Sequence, residues 1–420
     1  GTTENILNLS GIETATLKAL EKKGLVECCL EPHDFTPMPV QLAQVPLTPN
    51  EDQKKSIQQI LKALHHYQAF LLDGLTGSGK TEVYLQVMYD VLKQGKQVLV
   101  LVPEIGLTPQ TVARFKSRFH CDVALLHSGL NDSKRLQAWQ QAQTGKASII
   151  IGTRSAIYTP LPRLGLIILD EEHDLSYKQQ EGFRYHTRDV ALYRGHLQGC
   201  PVILGSATPS IDSYHLVESG KLHLLELNQR AGVAVLPKMH VIDLKIAKKK
   251  HGISQSLLEQ IKHTLERKEQ VLIFLNRRGY APVLMCESCG WQANCPHCDA
   301  HFTLHSQPYH YLHCHHCGTI NRLPEHCPAC QKQSLKTIGA GTAKLEEHLQ
   351  ELFPHNEVIR VDRDSTSRVG SWQKIYDRIQ QNKPNILLGT QMLAKGHHFP
   401  HVTLVAILDI DAGLLSVDPR

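Results

Sequence analysis

No apolar stretch of this sequence approaches the ~20 residues that a membrane-spanning helix requires. The N-terminus also lacks the basic and then apolar pattern of a secretion signal. We therefore expect a cytoplasmic protein, in which the twelve cysteines stay reduced or bind metal instead of forming disulfides. A large excess of one charge is absent too, and the formal net charge of +5 suits nucleic acid without demanding it. What is present is a globular composition over 420 residues, which is enough for two or three domains.

A glycine-rich motif is the first feature that indicates chemistry. The pattern Gly74-x-x-x-x-Gly79-Lys80-Thr81 follows the apolar run 69–72 and precedes a segment with helical apolar periodicity. Glycines let backbone N–H groups turn toward phosphate oxygens, Lys80 reaches the β- and γ-phosphates, and the Thr81 hydroxyl binds Mg²⁺. An ordinary glycine-rich turn is the alternative, but the Lys-Thr pair in this context favours a nucleoside triphosphate. The predicted nucleotide loop consists of Gly74, Gly77, Ser78, Gly79, Lys80 and Thr81.

Short β-branched runs recur along the chain and are separated by helical segments. This pattern predicts buried parallel sheets with helices on both faces, and it occurs twice. The first series of runs is 97–103, 148–153, 164–170 and 201–206, and the second is 271–276, 358–362, 385–390 and 403–409. We therefore expect an α/β fold with two domains, residues 47–229 and residues 230–420, whose functional side chains lie at the carboxyl ends of the strands.

Acidic residues directly follow one of these apolar runs. We expect Asp170 to hold Mg²⁺ through water and Glu171 to orient or deprotonate the attacking water, because phosphoryl transfer needs the metal and the nucleophile placed together. Solvated carboxylates at sheet edges are common, so this reading depends on the nucleotide loop. The segment 205–209, after the next run, is either a sensor of the γ-phosphate or only a capped turn.

Eight of the cysteines form four C-x-x-C pairs, which can combine in three ways to make two four-thiolate sites. The fifteen residues between Cys298 and Cys314 match the spacing of zinc sites, which leaves the outer pairs for a second site. We therefore predict a zinc-binding insertion over 284–333 with two structural Zn²⁺ sites. The ligands are Cys286, Cys289, Cys327 and Cys330 in one site and Cys295, Cys298, Cys314 and Cys317 in the other. Disulfides and an iron–sulfur cluster are the alternatives, and nearby histidines are possible substitute ligands.

Eight motifs, taken in order, carry a family resemblance. They are GLTGSGKT (74–81), VPEIGLT (102–108), LHSGL (126–130), GTRSA (152–156), LDEEH (169–173), GSATPS (205–210), FLNRRGY (274–280) and LLGTQMLAKGHHF (387–399). With the cysteine pairs, this set resembles superfamily 2 helicases, and specifically the bacterial primosomal replication-restart helicases. The resemblance implies two RecA-like lobes that clamp ATP, with Mg²⁺ and two Zn²⁺ as cofactors. It also implies 3′-to-5′ movement that unwinds stalled or branched replication forks, and initiation of primosome assembly for replication restart.

The same resemblance implies roles for individual residues. Lys80, Asp170 and Glu171 are the implied catalytic residues of ATP hydrolysis, and Gln53 is the implied reader of adenine. The segment 177–186 resembles the family's aromatic-rich loop, whose aromatic and Arg planes suit stacking on unpaired bases. The implied DNA-binding residues are Thr153, Arg154, Lys178, Phe183, Arg184, Tyr185, Thr390 and Lys395. A surface or packing role is the alternative for each of them.

The ends of the chain depart from the family pattern. Residues 1–36 resemble a winged-helix remnant, residues 37–46 a linker, and the second lobe is expected over 230–283 and 334–420. We expect a fragment that lacks both ends, because the family's N-terminal DNA-binding domain and its arginine-finger motif are both missing. Since an arginine finger contributes ~10³–10⁵ in rate, we expect this chain to hydrolyse ATP poorly.

The expected partners are forked and single-stranded DNA, other primosome proteins and single-strand-binding protein, with the chain itself a monomer. Two other functional classes stay open from the sequence. One is a double-strand DNA translocase of superfamily 2, which moves along duplex DNA without separating its strands. The other is a non-enzymatic platform for primosome assembly, in which the nucleotide acts only as a switch.

Overall fold

The described part of the chain folds into two compact units. The computed structural model describes residues 14–25, 40–103, 109–180, 182–230, 237–243, 249–250, 253–275, 283–286, 288–298, 302–305, 311–314, 317–338, 342–361, 371–390, 393, 399–408 and 410. The first unit contains the described residues up to Val102, Lys116–His173 and Tyr177–Gln229. The second contains the described residues within Pro103–Phe115, Asp174–Ser176 and those from Arg230 onward. The domain boundaries expected from the sequence stay a prediction.

The elements up to residue 227 alternate between strands and helices. In chain order they are α1 (Thr14–Lys22), β1 (Gln41–Leu42), α2 (Glu51–Lys62), β2 (Ala69–Gly74), α3 (Lys80–Lys93), β3 (Gln97–Leu101), α4 (Pro109–Arg118), β4 (Phe119–His120), β5 (Val123–Leu126), α5 (Asp132–Gln143), β6 (Ile149–Gly152), β7 (Leu164–Asp170), α6 (Thr187–Gln198), β8 (Val202–Ser206), α7 (Ile211–Glu218) and β9 (His223–Leu227). Two short 3₁₀ turns cover Arg154–Tyr158 and Leu175–Tyr177. Most of the expected winged-helix remnant lies outside the described residues, and β1 lies within the expected linker.

A parallel sheet is the centre of the first unit, with seven strands among the described residues. Its strand order is β5-β6-β3-β7-β8-β2-β9, and every pairing is parallel. Strands β3, β6 and β8 are buried at every position, as expected for apolar runs that helices cover on both faces. Because β2, β8 and β7 are neighbours, their carboxyl ends meet at the same edge of the sheet.

Two helices flank the nucleotide loop. Helix α2 begins with a capping box, in which the Asn50 side chain accepts a hydrogen bond from Gln53 N and the Gln53 side chain accepts one from Asn50 N, each at 2.9 Å. Helix α3 follows the loop and buries Val83, Val87 and Val91 among other residues, as its apolar periodicity predicts. The loop is therefore held between two helices whose ends are fixed by local hydrogen bonds and by packing.

The second unit contains a second parallel sheet. Its elements are β10 (Lys249–Lys250), β11 (Ile253–Ser254), α8 (Gln255–Glu266), β12 (Gln270–Leu275), β13 (Val283–Cys286), β14 (Thr303–His305), β15 (Tyr311–His313), β16 (Ile320–Arg322), β17 (Leu335–Ile338), α9 (Thr342–Leu352), β18 (Glu357–Val361), α10 (Ser371–Ile379), β19 (Asn385–Gly389) and β20 (Val402–Leu408). The parallel sheet has the order β18-β19-β12-β20. Its core packs Ile261 of α8 and Leu349 of α9 against strand residues such as Ile273 and Ile386.

The cysteine-rich segment forms an antiparallel sheet of its own, with the order β16-β15-β14-β13-β17. Its apolar core is small, and Leu284, Phe302 and Leu312 are buried together with Cys295 and Cys314. A core of this size supplies little stabilisation, so bound metal is expected to contribute to the folding of this segment.

The predicted α/β fold class is confirmed, because every apolar run predicted as a strand forms one in the described structure. Strands β5 and β9 and the antiparallel sheet were not predicted. None of the helices in the described ranges has both the length and the hydropathy that crossing a bilayer requires.

Candidate nucleotide and metal sites

The nucleotide loop runs from the end of β2 to the first turn of α3. Gly77 and Gly79 have φ of +81° and +83°, a left-handed conformation that favours glycine. Gly79 is the N-cap of α3 and has no side chain to occupy the first N–H groups of the helix, which are suited to an anion. Lys80 Nζ donates to the carbonyl oxygen of Gly74 at 2.8 Å, and Thr81 is half-buried in the first turn. Ser78 is buried, and its hydroxyl has no hydrogen-bond partner in the described part of the chain.

Gln53 supports this loop from α2. Its side chain is buried, and Nε2 donates to the carbonyl oxygen of Ser78 at 2.8 Å. Its Oε1 accepts the hydrogen bond from Asn50 N that completes the capping box. A side-chain amide has two donor hydrogens and two acceptor lone pairs, so one of each remains for a base. The structure thus places Gln53 against the loop, and its reading of adenine stays a prediction.

Asp170 ends β7, directly opposite Gly205 of β8. Its Oδ1 accepts a hydrogen bond from the Tyr84 hydroxyl at 3.0 Å. Burial, and then the charge of Glu171, raise the pKa of Asp170 to about 6, while the Tyr84 hydroxyl and the charge of Lys80 oppose this rise. Lys80 is therefore close enough to Asp170 for their charges to interact. The Tyr84 hydrogen bond joins the helix that follows the nucleotide loop to the acidic strand end. That the two form one nucleotide site stays a prediction.

Glu171 occupies an unusual backbone conformation next to this site. Its φ is +49°, in the left-handed region that costs a non-glycine residue ~1 kcal/mol or more and that recurs at functional sites. The side chain is 38% exposed, so water can reach it, and its Oε2 lies 3.6 Å from His173 Nδ1. The same His173 nitrogen lies 2.7 Å from Ser206 Oγ. The predicted hydrolytic acid is thereby linked to the strand end that carries the segment 205–209.

Several residues of this site were not predicted from the sequence. Tyr177 is fully buried, and its hydroxyl donates to the main-chain carbonyl of Asp170 at 2.7 Å. Glu172 is buried, and its carboxylate accepts hydrogen bonds from Ser210 and Ser213 at the start of α7, with Arg188 at 4.0 Å. The sequence offers two signals for such residues. Glu172 is the third acid of the LDEEH motif, and Tyr84, which donates to Asp170, lies four residues after Lys80 on the same face of α3.

The aromatic-rich segment is a closed hairpin-like loop. Lys178 and His186 form an antiparallel bridge, and Gln179 N donates to the Tyr185 carbonyl at 2.9 Å. At the tip Gly182 has φ +66°, Phe183 is 78% exposed, and Lys178 and Arg184 are also exposed. The loop therefore presents an aromatic ring and two cationic side chains to solvent.

Arg154 braces this loop from the neighbouring 3₁₀ turn. Its Nη1 donates to the Lys178 carbonyl at 3.0 Å. Burial raises the pKa of Tyr185, while the charge and hydrogen bond of Arg154 oppose that rise. Tyr158, which the sequence did not single out, packs edge-to-face on Tyr185 with ring centroids 5.1 Å apart and is 45% exposed.

The other predicted DNA-binding residues are Thr153, Thr390 and Lys395. Thr153 is only 4% exposed and precedes the 3₁₀ turn, with its N–H bonded to the Leu126 carbonyl. Thr390 is half-buried just after β19 in the second unit, and Lys395 lies outside the described residues. Contact of these residues with DNA stays a prediction.

The eight cysteines of the insertion lie in two groups of four. Cys286, Cys289, Cys327 and Cys330 form one group and Cys295, Cys298, Cys314 and Cys317 the other, with the four Sγ atoms of each within 4.8 Å of one another. The closest sulfur pairs are 3.4–3.6 Å apart, and all eight cysteines are free of disulfides. A tetrahedral Zn²⁺ with bonds of ~2.3 Å separates its sulfurs by ~3.8 Å, so both groups suit that ion. These are the two ligand sets that the spacing predicts.

One cysteine in each group is hydrogen-bonded to a hydroxyl. The Ser334 Oγ lies 3.0 Å from Cys286 Sγ, and this contact lowers the pKa of the Cys286 thiol to about 6. Thr319 Oγ1 lies at the same distance from Cys317 Sγ and lowers the pKa of that thiol to about 6. Since metal binds the thiolate, both hydroxyls favour the ligand form.

Comparison with known proteins identifies relatives of this chain. The DEAD/DEAH box helicase family model matches residues 50–217, which include the nucleotide loop and the acidic strand end. The replication restart protein PriA of Haemophilus influenzae is 52% identical over 383 residues, 91% of this chain and 52% of that protein. The replication restart protein PriA of Bacillus subtilis is 41% identical over 414 residues, 97% of this chain and 51% of that protein. The chain spans about half the length of these relatives.

Solved structures share the fold. MrfA, a helicase of the DUF1998 group bound to DNA, aligns with a TM-score of 0.52 at 13% identity, over 85% of this chain and 44% of MrfA. RecG bound to a three-way DNA junction aligns with a TM-score of 0.50 at 17% identity, over 86% of this chain and 38% of RecG. The resemblance that the motifs carry is thus confirmed: the chain is a relative of the replication restart proteins and contains a DEAD/DEAH box helicase domain.

Proposed function

We propose that this chain is the motor region of an ATP-dependent DNA helicase that moves 3′ to 5′. The observation that carries the proposal is the hydrogen bond from Tyr84 to Asp170, which joins the helix that begins at Lys80 to the end of β7 in the first unit. The helicase domain match and the replication restart relatives support the same function. Hydrolysis at this site would drive movement along DNA.

The residues present fit Mg²⁺-ATP. The buried, unsatisfied Ser78 hydroxyl and the left-handed glycines suit a phosphate group. The Asp170 carboxylate and the Thr81 hydroxyl are oxygen donors of the kind that Mg²⁺ takes. Lys80 would bind the β- and γ-phosphates, while Thr81 and Asp170 would hold the metal, which neutralises charge on the phosphates when bound. Glu171, reachable by water, would orient the attacking water and accept its proton.

We propose single-stranded DNA as the track and the loop 178–186 as one of its contacts. The exposed Phe183 ring suits stacking on an unpaired base, and Lys178 and Arg184 suit the phosphate backbone. The relatives' name supports a role in replication restart. We propose that the chain acts there as a monomer in the cytoplasm, at stalled or branched forks, and that it initiates primosome assembly with other primosome proteins and single-strand-binding protein.

Strand separation tests the proposal. A fluorescent partial duplex with a 3′ single-stranded tail is incubated with the chain and ATP, and displacement is compared with that of a 5′-tailed duplex. We expect displacement of the 3′-tailed substrate alone, its loss in Lys80→Ala, and its retention in Lys62→Ala, which removes an exposed lysine of α2. Movement on duplex DNA without displacement, detected as triplex disruption, would instead identify a double-strand translocase.

A further inference from the structure

The side chain of Tyr84 is buried on α3, one turn after Lys80, and its hydroxyl donates to Asp170 Oδ1 at 3.0 Å. We propose that Tyr84 is a positioning residue that fixes the Asp170 carboxylate in the orientation that receives Mg²⁺. This inference rests on the proposed function, because it concerns the metal of the same nucleotide site. The helicase motifs do not include this residue, and its role follows from its contact with Asp170.

The surroundings of Tyr84 show that space is kept for its hydroxyl. Gly205 lies opposite Asp170 in the register of β7 and β8. A Cβ atom at position 205 would lie 1.6 Å from the Tyr84 hydroxyl oxygen, so any other residue there would displace this group. The remaining buried positions of α3 are mostly apolar, and a phenylalanine at 84 would fill the same core without a polar atom to satisfy. The tyrosine and the glycine together keep a hydrogen-bond donor next to the carboxylate.

The hydrogen bond from Tyr84 fixes the Asp170 carboxylate, on which the charges of Glu171 and Lys80 act in opposite senses. Glu171 repels the negative charge of Asp170, and Lys80 attracts it. A donor fixed on one carboxylate oxygen limits rotation of the group and leaves the other oxygen for the metal or its water. Hydrogen-bond partners of metal-binding carboxylates commonly change metal affinity by about 10–100-fold when they are removed.

Helix α3 carries both Tyr84 and the predicted nucleotide-binding residues Lys80 and Thr81. Lys80 and Thr81 lie in its first turn and Tyr84 in its second, so one rigid element carries the phosphate group, the metal hydroxyl and the donor to Asp170. The helix that would bind the nucleotide with its first turn therefore also orients the Asp170 carboxylate, through Tyr84 in its second turn.

Tyr177 offers a matched comparison within the same site. It is also a fully buried tyrosine, and its hydroxyl also donates to Asp170, but to the main-chain carbonyl at 2.7 Å. Removing either hydroxyl deletes one buried hydrogen bond to Asp170. Only Tyr84 contacts the carboxylate, so only its removal should affect the metal.

The experiment measures binding of a fluorescent ADP analogue to the chain, first in EDTA and then across a Mg²⁺ titration. In EDTA we expect Tyr84→Phe to bind the analogue within twofold of the unchanged chain, because the removed hydroxyl donates to Asp170 and not to the nucleotide loop. We expect Tyr84→Phe to need about tenfold more Mg²⁺ to reach half of the metal-dependent gain in affinity. Tyr177→Phe should keep its Mg²⁺ midpoint within twofold.

Two results would overturn the inference: an unchanged Mg²⁺ midpoint in Tyr84→Phe, or an equal shift in Tyr177→Phe. Failure of the unchanged chain to bind the analogue would contradict the proposed function instead, which keeps the two claims distinguishable. If Tyr84→Phe lost binding in EDTA, Gly205→Ala would decide, because its Cβ displaces the hydroxyl without removing it. A raised Mg²⁺ midpoint in Gly205→Ala supports the inference, and a normal one overturns it.

Discussion

The carboxylate of Glu172 accepts a hydrogen bond from Ser210 N at 2.6 Å and another from the Ser210 hydroxyl at 3.0 Å. Ser210 is the N-cap of α7, so a buried acid that follows the Asp170–Glu171 pair fixes the start of the helix after β8. The guanidinium of Arg188, also buried, lies 4.0 Å from the same carboxylate. The three consecutive acids therefore differ in role. Asp170 and Glu171 belong to the predicted nucleotide site, whereas Glu172 stabilises the fold.

Glu172→Ala is expected to destabilise the first unit by about 2–4 kcal/mol, because the half-buried Ser210 and the buried Ser213 lose their acceptor and Arg188 loses a nearby charge. Urea unfolding followed by circular dichroism measures this change. Glu218→Ala, at the exposed end of the same helix, is the control and should stay within about 0.5 kcal/mol of the unchanged chain. Equal midpoints for the two variants would show that the buried network does not stabilise the unit.

Asp170→Asn should stabilise the chain when no Mg²⁺ is added, and more so at high pH. Burial raises the folded pKa of Asp170 to about 6, above its unfolded value, so ionisation opposes folding. That cost is absent at pH values below the unfolded pKa, grows between the two pKa values and is complete above the folded one. We expect a gain of about 1–3 kcal/mol at pH 8 that shrinks at pH 5. Thermal unfolding at both pH values measures the gain.

The control for this experiment is Asp132→Asn, which removes a fully exposed carboxylate. Its effect should be within about 0.5 kcal/mol at either pH. A destabilised Asp170→Asn, or a gain that is the same at pH 5 and pH 8, would contradict the raised pKa.

The chain should contain two Zn²⁺ ions, one for each group of four cysteines. Cys286→Ser and Cys295→Ser each remove a ligand from a different group, and each should lower the zinc content by about one ion per chain. Elemental analysis by mass spectrometry gives the content directly. Cys121→Ser, a cysteine outside both groups, should keep two ions. Loss of both ions in either ligand variant would mean that the sites are not independent.

Gln53→Ala should weaken ADP binding by about tenfold, because the nucleotide loop loses the hydrogen bond to the Ser78 carbonyl and adenine loses its predicted partner. GDP binding should weaken less, since only the first effect applies to it. Titration with fluorescent analogues of both nucleotides separates the two effects, and Gln94→Ala, at the exposed end of α3, is the control. An equal loss for ADP and GDP would restrict Gln53 to supporting the loop.

All four strands of the second parallel sheet and the inner strands of the first could be predicted from the sequence, whereas the edge strands of the first could not. Strands such as β3 and β6 are covered on both faces, so they appear as continuous apolar runs. Strands β5 and β9 are the two edges of the seven-stranded sheet: β5 is an apolar run of only four residues, and β9 mixes polar and apolar residues. The antiparallel sheet of the insertion has strands of three or four residues, too short to show a period.

The same distinction holds for the sites. Local motifs predicted Lys80, Asp170 and the cysteine groups, because chemistry requires those residue types at fixed spacings. Tyr84 and Glu172 act through partners 86 and 38 positions away, and only the fold brings these together. Residues predicted to bind phosphate or metal can therefore be found by motif, whereas hydrogen-bond partners that are distant in the sequence need the structure.

The measurement that tests the central claim most directly is the rate of ATP hydrolysis by this chain, with and without forked DNA, compared with Glu171→Gln. We predict a low rate without DNA, in line with the expected poor hydrolysis, and a rise of about tenfold or more with forked DNA. Glu171→Gln should lose this stimulated rate while it still binds nucleotide. A rate that DNA does not change, or a Glu171→Gln chain that hydrolyses ATP as fast as the unchanged one, would contradict the proposal of a DNA-driven ATP motor.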